Sequence, residues 1–292
     1  MSEIQVIKNY RDNAELRTSF NELAKATFGL DFEDWYQNGY WTDRYNPHSI
    51  VRDGKVVANV SVNKTDFKWN GEVKHFLQLG TVMTDEAYRS RGLIRRIMEE
   101  IDAEYAGKVD GIYLFANNSV LDFYPKFGFA PAKQYEYVRE AKTEAYVPAV
   151  PAKKISMADK QEWDRLETLI RKSHSQSAFE MVDNTQLNMF YVSKFMQDCV
   201  YYCEDCDAYV IAEEDEELII DMVISEKEQD LNHIVNCFGA GNKSVILGFT
   251  PKNAAGFKVR EMNPDDRQMF VKGNGFAGFE EAKVMVPLLA YA

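Results

Sequence analysis

The residues Arg89-Ser-Arg-Gly-Leu-Ile94 carry the clearest chemical signal in the chain. The apolar run before them, His75-Phe-Leu-Gln-Leu-Gly-Thr-Val-Met83, reads as a strand. After them Leu93, Ile94, Ile97, Met98, Ile101 and Tyr105 recur at helical spacing. A glycine turn feeding a helix leaves the first backbone N–H groups unpaired and presents the positive end of the helix dipole. That arrangement suits a phosphate. The main-chain N–H groups of Arg91, Gly92, Leu93, Ile94 and Arg95 can form the cradle, with Arg89 and Arg91 adding charge.

The elements that position this loop follow directly. Beyond Gly107 a second apolar strand, Gly111-Ile-Tyr-Leu-Phe-Ala116, completes a βαβ unit, and Asn117-Asn-Ser-Val-Leu-Asp-Phe-Tyr-Pro-Lys-Phe-Gly-Phe129 follows it. Asn117 suits a strand-end cap, and Gly128-Phe129 suits a turn with a packed aromatic. Upstream, Asp53-Gly54 and Asn70-Gly71 mark hairpin turns, so an antiparallel meander leads into the βαβ unit.

This stretch resembles the GCN5-related N-acetyltransferases (GNAT). Their acyl-CoA loop reads Arg/Gln-x-x-Gly-x-Gly/Ala, and a later motif reads Asn, six residues, Tyr, three residues, Gly-Phe. Here Arg89-x-x-Gly92-x-Ile94 carries the loop, with isoleucine in the last, usually small position, and Asn117, Tyr124, Gly128 and Phe129 keep the later spacing. Both motifs, in order and on suitable elements, make a specific signal over residues 28–140.

The resemblance implies acetyl-CoA as co-substrate and a cofactor site of Val82, Met83, Arg89, Arg91, Gly92, Leu93, Ile94, Arg95, Asn117 and Tyr124. A main-chain N–H at Val82 or Met83 would polarise the thioester carbonyl. Asn117 would bond the pantetheine arm. Tyr124 would be the general acid, because a phenol with a reference pKa near ~10 keeps its proton at neutral pH.

The resemblance also places the aromatic region 32–45, with Trp35, Tyr36 and Trp41, over the acceptor, with Gln78 on the central strand; plain packing accounts for these aromatics equally well. The general base stays open. His75 and Gln78 occupy the strand where relatives often carry a carboxylate. Glu33, Asp34, His48, a carboxylate at Ala292, or water without a dedicated base are the alternatives.

The 292 residues allow one large or two ordinary domains, and the composition, 46% hydrophobic and 27% charged, is that of a globular protein with a core. A formal charge of −12 argues against nonspecific binding to nucleic acid or anionic membrane and leaves room for a cationic acceptor. There is no transmembrane-length apolar run, and the first residues lack the pattern of a signal peptide, so a cytoplasmic protein is expected. Cys203-Glu-Asp-Cys206 is a single C-x-x-C, with Cys199 nearby and Cys237 distant. Without a second pair this is a weak metal signal, and reduced thiols with no metal are expected.

After a strand ending near Arg139, residues 142–154 are rich in Ala, Val and Pro, which suits a linker or edge strand and a domain boundary. The second half then reads as a faded copy of the first: two helical patterns, three strand-like runs, a helix at 231–238 and a strand at 244–250. Setting Gly275-Phe276 on Gly128-Phe129 puts Val271 at the place of Tyr124. Where a glycine loop belongs, the chain reads Ser225-Glu-Lys-Glu-Gln-Asp230, which would repel a pyrophosphate.

The expected fold is α/β (α+β): a mixed, mostly antiparallel central sheet with flanking helices, as two tandem GNAT-like domains at 1–141 and 155–292. The expected function is acetyl-CoA-dependent N-acetylation of a primary amine on a small molecule or peptide. The alternative is an acyl-CoA-binding sensor or scaffold without turnover. Aminoacyl transfer from tRNA is disfavoured, since it has no use for the phosphate loop and the acidic balance fits tRNA poorly.

Overall fold

The computed structural model describes residues 5–141, 147–240, 243–265 and 267–292. After a short strand β1 (Val6–Ile7), helix α1 (Ala14–Phe28) is capped by the Asn13 side chain and stopped by Gly29, whose N–H bonds the Lys25 carbonyl at 3.0 Å in the left-handed conformation. A short helix α2 (Glu33–Gln37) follows. The expected meander is then present as β2 (Tyr45–Arg52), β3 (Lys55–Trp69) and β4 (Glu72–Thr84), turning at Asp53-Gly54 and Asn70-Gly71.

Helix α3 (Leu93–Tyr105) buries Leu93, Ile97, Met98 and Ile101, the face set by its apolar spacing, and β5 (Gly111–Ala116) returns parallel to β4. A short β6 (Ala130–Pro131) and β7 (Tyr135–Arg139) end the first half. The second half contributes β8 (Lys153–Lys154), α4 (Lys160–Lys172), β9 (Phe179–Val182), α5 (Thr185–Lys194), β10 (Val200–Cys203), β11 (Ala208–Glu214) and β12 (Leu218–Ile224). Helix α6 (Leu231–Cys237) and strands β13 (Val245–Leu247), β14 (Lys258–Glu261) and β15 (Gln268–Lys272) complete it.

These strands form two mixed, mostly antiparallel sheets with helices packed against them. One runs β1-β2-β3-β4-β5-β15-β6, with β9 beside the far end of β3; the other runs β14-β7-β13-β12-β11-β10-β8. In each sheet a single parallel pair, β4–β5 or β12–β13, lies among antiparallel neighbours.

The two sheets exchange strands. β7, from the first half, pairs with β13 and β14, while β15, from the second, is inserted between β5 and β6. The division expected at 142–154 therefore does not separate the sheets. Residues 142–146 lie outside the described residues, and 153–154 form the edge strand β8 against β10.

The exchange also changes the reading of Met269–Phe276. Val271 is a strand residue paired with Tyr113 and Ala130, and Phe276 packs on Phe76 with ring centroids 4.5 Å apart. This segment closes the first sheet and does not repeat the Tyr124 turn. The run from Val284 to Ala292 is an extended tail with one short 3-10 turn at Leu288–Ala290.

Candidate active site

The site is built on a break in the first sheet. β4 and β5 pair from Phe76–Gly111 to Leu79–Leu114 and no further, so Gly80 and Phe115 open a cleft. On its other edge β4 carries an extra residue relative to β3: Ser61 faces Gly80 and Asn59 faces Met83, leaving Thr81 and Val82 against Val60. Thr81 takes a left-handed φ of 48°.

Buried polar groups hold the bulge. Asn59 donates to the Thr81 carbonyl at 2.9 Å and to the Ser61 hydroxyl at 3.0 Å, and it accepts from the Ser49 hydroxyl at 2.7 Å. The Tyr45 hydroxyl lies 2.5 Å from Thr81 Oγ1. Val82 and Met83, the expected oxyanion donors, thus sit at a distorted strand position that re-aims the backbone.

The start of α3 is where the phosphate cradle is expected. Gly92 is the N-cap with φ 72°, where a residue with a Cβ is strained, and no side chain caps this helix start and no acidic residue occupies its first turn. Arg89, Arg91, Gly92 and Arg95 are exposed, while Leu93 and the half-buried Ile94 pack into the core, so Ile94 takes up the helix face without closing the cradle. Arg91 is braced by the Ala87 carbonyl at 2.7 Å and lies over Tyr88; Arg89 pairs with Glu86 at 3.2 Å.

The corresponding helix of the second half differs. At α6 the Asp230 carboxylate accepts from the Asn232 N–H at 2.9 Å, and Ser225 to Asp230 contains no glycine. A capped, acidic helix start disfavours a phosphate.

Tyr124 opens the 3-10 turn Tyr124–Phe127 and is buried against Phe123, Phe129 and Phe270. Burial pushes its phenol up to about 12. Arg95 at the head of α3 reaches over the Phe127 ring at 5.5 Å, which ties this turn to the cradle. Asn117 caps the strand end, accepting from the Ser119 N–H at 3.2 Å and the Ser119 hydroxyl at 2.5 Å. Gly128, at φ 83°, ends the turn and Phe129 is buried.

Across the bulge lies a cavity of about 480 Å³ walled by aromatic and aliphatic side chains, among them Trp35, Tyr45, Phe115, Phe190 and Tyr291. Helix α5 supplies Leu187, Phe190 and Tyr191, so the second half forms one wall. The expected acceptor residues divide. Trp35 lines the cavity, its indole N–H bonded to the Gln186 carbonyl at 2.9 Å. Trp41 is buried behind it, donating to the Tyr45 carbonyl at 2.9 Å, and Tyr36 packs against Arg17. Neither belongs to the cavity wall.

None of the side chains considered as a base from this region reaches the cavity. Glu33 is bound to Arg17 at 2.9 Å and Asp34 to Lys194 at 2.7 Å. His48 is fully buried between the Asn46 carbonyl and Glu104, with burial lowering its pKa. His75 pairs with Asp66 on the surface.

Sequence reasoning missed most of the tail. Leu288 N–H bonds the Gly248 carbonyl at 2.8 Å, and Tyr291 stacks on Phe115 with centroids 3.7 Å apart. Gln78, buried under the cleft, donates to the main-chain oxygen of Ala292 at 3.3 Å. That oxygen fills the space a Cβ on Gly80 would need. Only the apolar run at the end of the chain hinted at this.

Residues 12–132 match the family model of the acetyltransferase (GNAT) domain. This segment is similar to the GCN5-related N-acetyltransferases. Proteins of that family are acyltransferases that use acyl-CoA. No curated protein matches the chain in sequence.

Among solved structures it is similar to a conserved protein from Enterococcus faecalis V583, described as a probable N-acyltransferase, at 18% identity and TM-score 0.60 over 94% of this chain and 74% of that one. It is also similar to Eis1 from Mycobacterium abscessus (13%, TM-score 0.56, 92% and 72%) and to a GCN5-related N-acetyltransferase from Kribbella flavida (16%, TM-score 0.54, 92% and 70%). At these identities the likeness concerns the fold, and it extends over both sheets. Among the described residues no helix is long and apolar enough to cross a membrane.

Proposed function

We propose that the chain transfers an acetyl group from acetyl-CoA to the primary amine of a small molecule or peptide, by direct attack of the amine on the thioester. One observation carries this reading: β4 and β5 part at Gly80 and Phe115 beside an aromatic cavity that Thr81 and Phe115 line, and the same β4 leads on to the uncapped start of α3. Such a cleft can hold a thioester between a pyrophosphate cradle and an acceptor.

In this reading the backbone of Arg91 to Arg95 binds the pyrophosphate, and a main-chain N–H at Val82 or Met83 faces the carbonyl oxygen as charge builds there. Tyr124, with its phenol pushed up to about 12, keeps its proton through neutral pH and delivers it to the leaving thiolate. Asn117 holds the strand end beside the pantetheine arm. Water removes the proton from the attacking amine.

The cavity wall includes Arg44 and Arg267 and no Asp or Glu among the described residues. This favours an amine on an apolar or aromatic body over a polycation, because the net negative charge of the chain is carried elsewhere. The second half serves as a wall without an acyl-CoA site of its own, on a tandem GNAT plan with exchanged strands.

Calorimetric titration of acetyl-CoA into the full chain tests the reading, followed by a screen of aralkylamines for release of free thiol. One site per chain with amine-dependent thiol release is the expected result. Two sites would overturn the silent second half. Binding without thiol release from any amine would favour a sensor.

A further inference from the structure

The geometry points to a structural zinc site in the second half, formed by Cys203, Cys206, His233 and Cys237 and tying helix α6 to the β10–β11 hairpin. The ligand atoms of Cys206, His233 and Cys237 lie within 4.8 Å of one another. Cys203 is the neighbouring fourth candidate: it is buried where β10 runs into the Glu204–Cys206 turn, and its thiol lies near enough to those of Cys206 and Cys237 to interact with them. All four cysteines of the chain are free thiols, and the remaining one, Cys199, stands outside the cluster.

The supporting elements are those a tetrahedral ion requires. Cys203 ends β10 and Cys206 ends the 3-10 turn Glu204–Cys206, with Asp207 at φ 46° reversing the chain into β11. A C-x-x-C on such a hairpin turn directs two sulfurs to the same side. His233 and Cys237 are four residues apart on α6, on one helix face. C-x₂-C on a hairpin with H-x₃-C on a helix is the ligand spacing of closed, four-coordinate zinc sites. In sequence the two pairs are far apart and the second is not a C-x-x-C, so the pattern emerges only when the helix is packed onto the hairpin.

The surroundings agree with a structural role. Cys203 and Cys237 are buried, and Cys206 is half-buried with its carbonyl accepting from Gln229 at 3.0 Å. His233 closes the outer side, with an Asp205 carboxylate oxygen 4.0 Å from its Nε2. Helix α6 is only seven residues long, and its packing on the sheet would be reinforced by two metal bonds. No open coordination position is needed, so the ion stabilises and does not react. Loading converts three thiols and a neutral imidazole to a Cys₃His complex of Zn²⁺ and releases three protons to solvent.

The test uses the full chain without an affinity tag, purified with reductant and without chelator. Metal analysis should find one zinc per chain. Exchange with Co²⁺ should give sulfur-to-cobalt charge-transfer bands and the intense visible bands of tetrahedral cobalt. Cys206→Ser and His233→Ala should lose the ion or bind it at least tenfold more weakly, and Cys199→Ser should keep it. Because His233 is exposed, its replacement leaves the core packed, which circular dichroism verifies. Absence of both zinc and a cobalt charge-transfer band while the thiols titrate as free would overturn the site. So would a disulfide among Cys203, Cys206 and Cys237 in the non-reduced protein, or unchanged zinc affinity in both variants.

Discussion

The side-chain amide of Asn59 donates to the main-chain carbonyl of Thr81 at 2.9 Å, from a position wholly shielded from solvent. This single bond links the interior of β3 to the residue that makes β4 bulge. The bulge sets the backbone at Val82 and Met83, so Asn59 positions the proposed oxyanion donor without touching substrate.

Asn59→Leu should therefore act on turnover more than on acyl-CoA affinity. The replacement leaves the Thr81 carbonyl without its side-chain partner, at about 1–3 kcal/mol, while the Ser49 hydroxyl keeps the Tyr10 hydroxyl at 2.7 Å. The melting temperature should fall, and kcat should fall while the acetyl-CoA Kd stays within a few-fold. A destabilised variant with unchanged kcat would separate Asn59 from the donor geometry.

Gly92→Glu should abolish acetyl-CoA binding. The glycine holds φ 72° at an uncapped helix start, with nothing within 4 Å of the place a Cβ would occupy. Folding should thus suffer only the strain of a left-handed residue, about 1–2 kcal/mol. The new carboxylate would occupy the phosphate position and repel it. Calorimetry showing wild-type affinity in a folded variant would displace the cradle from this loop.

Tyr124→Phe should lower kcat by about 10²-fold or more while leaving acetyl-CoA binding largely intact, as expected for loss of a general acid. Because the wild-type phenol is pushed up to about 12, its ionisation should not depress kcat anywhere in the neutral or mildly alkaline range. A kcat profile that falls near ~10, the reference value for a solvated phenol, would show that the ring is less enclosed than the structure has it.

Asp221 gives a prediction about stability. It follows the last β12–β13 pair, where the second sheet begins to part, and its Oδ2 is buried with no hydrogen-bond partner. Desolvation raises its pKa well above the carboxylate range. The unfolded chain releases this proton near pH ~3.9 while the folded chain retains it, so the contribution is fully present below that pH and is lost as pH rises toward the folded value. Asp221→Asn keeps the shape without the ionisation. Thermal melts across pH should show the variant gaining on the wild type as pH rises from about 4 to neutrality. Parallel curves would place Asp221 in contact with solvent or a counter-charge.

The local elements, including the glycine turn that opens α3, were legible in the sequence because they depend on short-range physics. Glycine turns, apolar spacing and uncapped helix starts are properties of adjacent residues, so Asn70-Gly71, the α3 face and Gly92 could be read in place. What strand pairs with what is decided by burial among residues far apart in the chain. The insertion of β15 beside β5, the departure of β7 to the other sheet and the stacking of Tyr291 on Phe115 leave no local mark. The same holds for the cavity wall from α5 and for the meeting of His233 with Cys206: each residue advertises its type, and only the packed chain brings the types to one point.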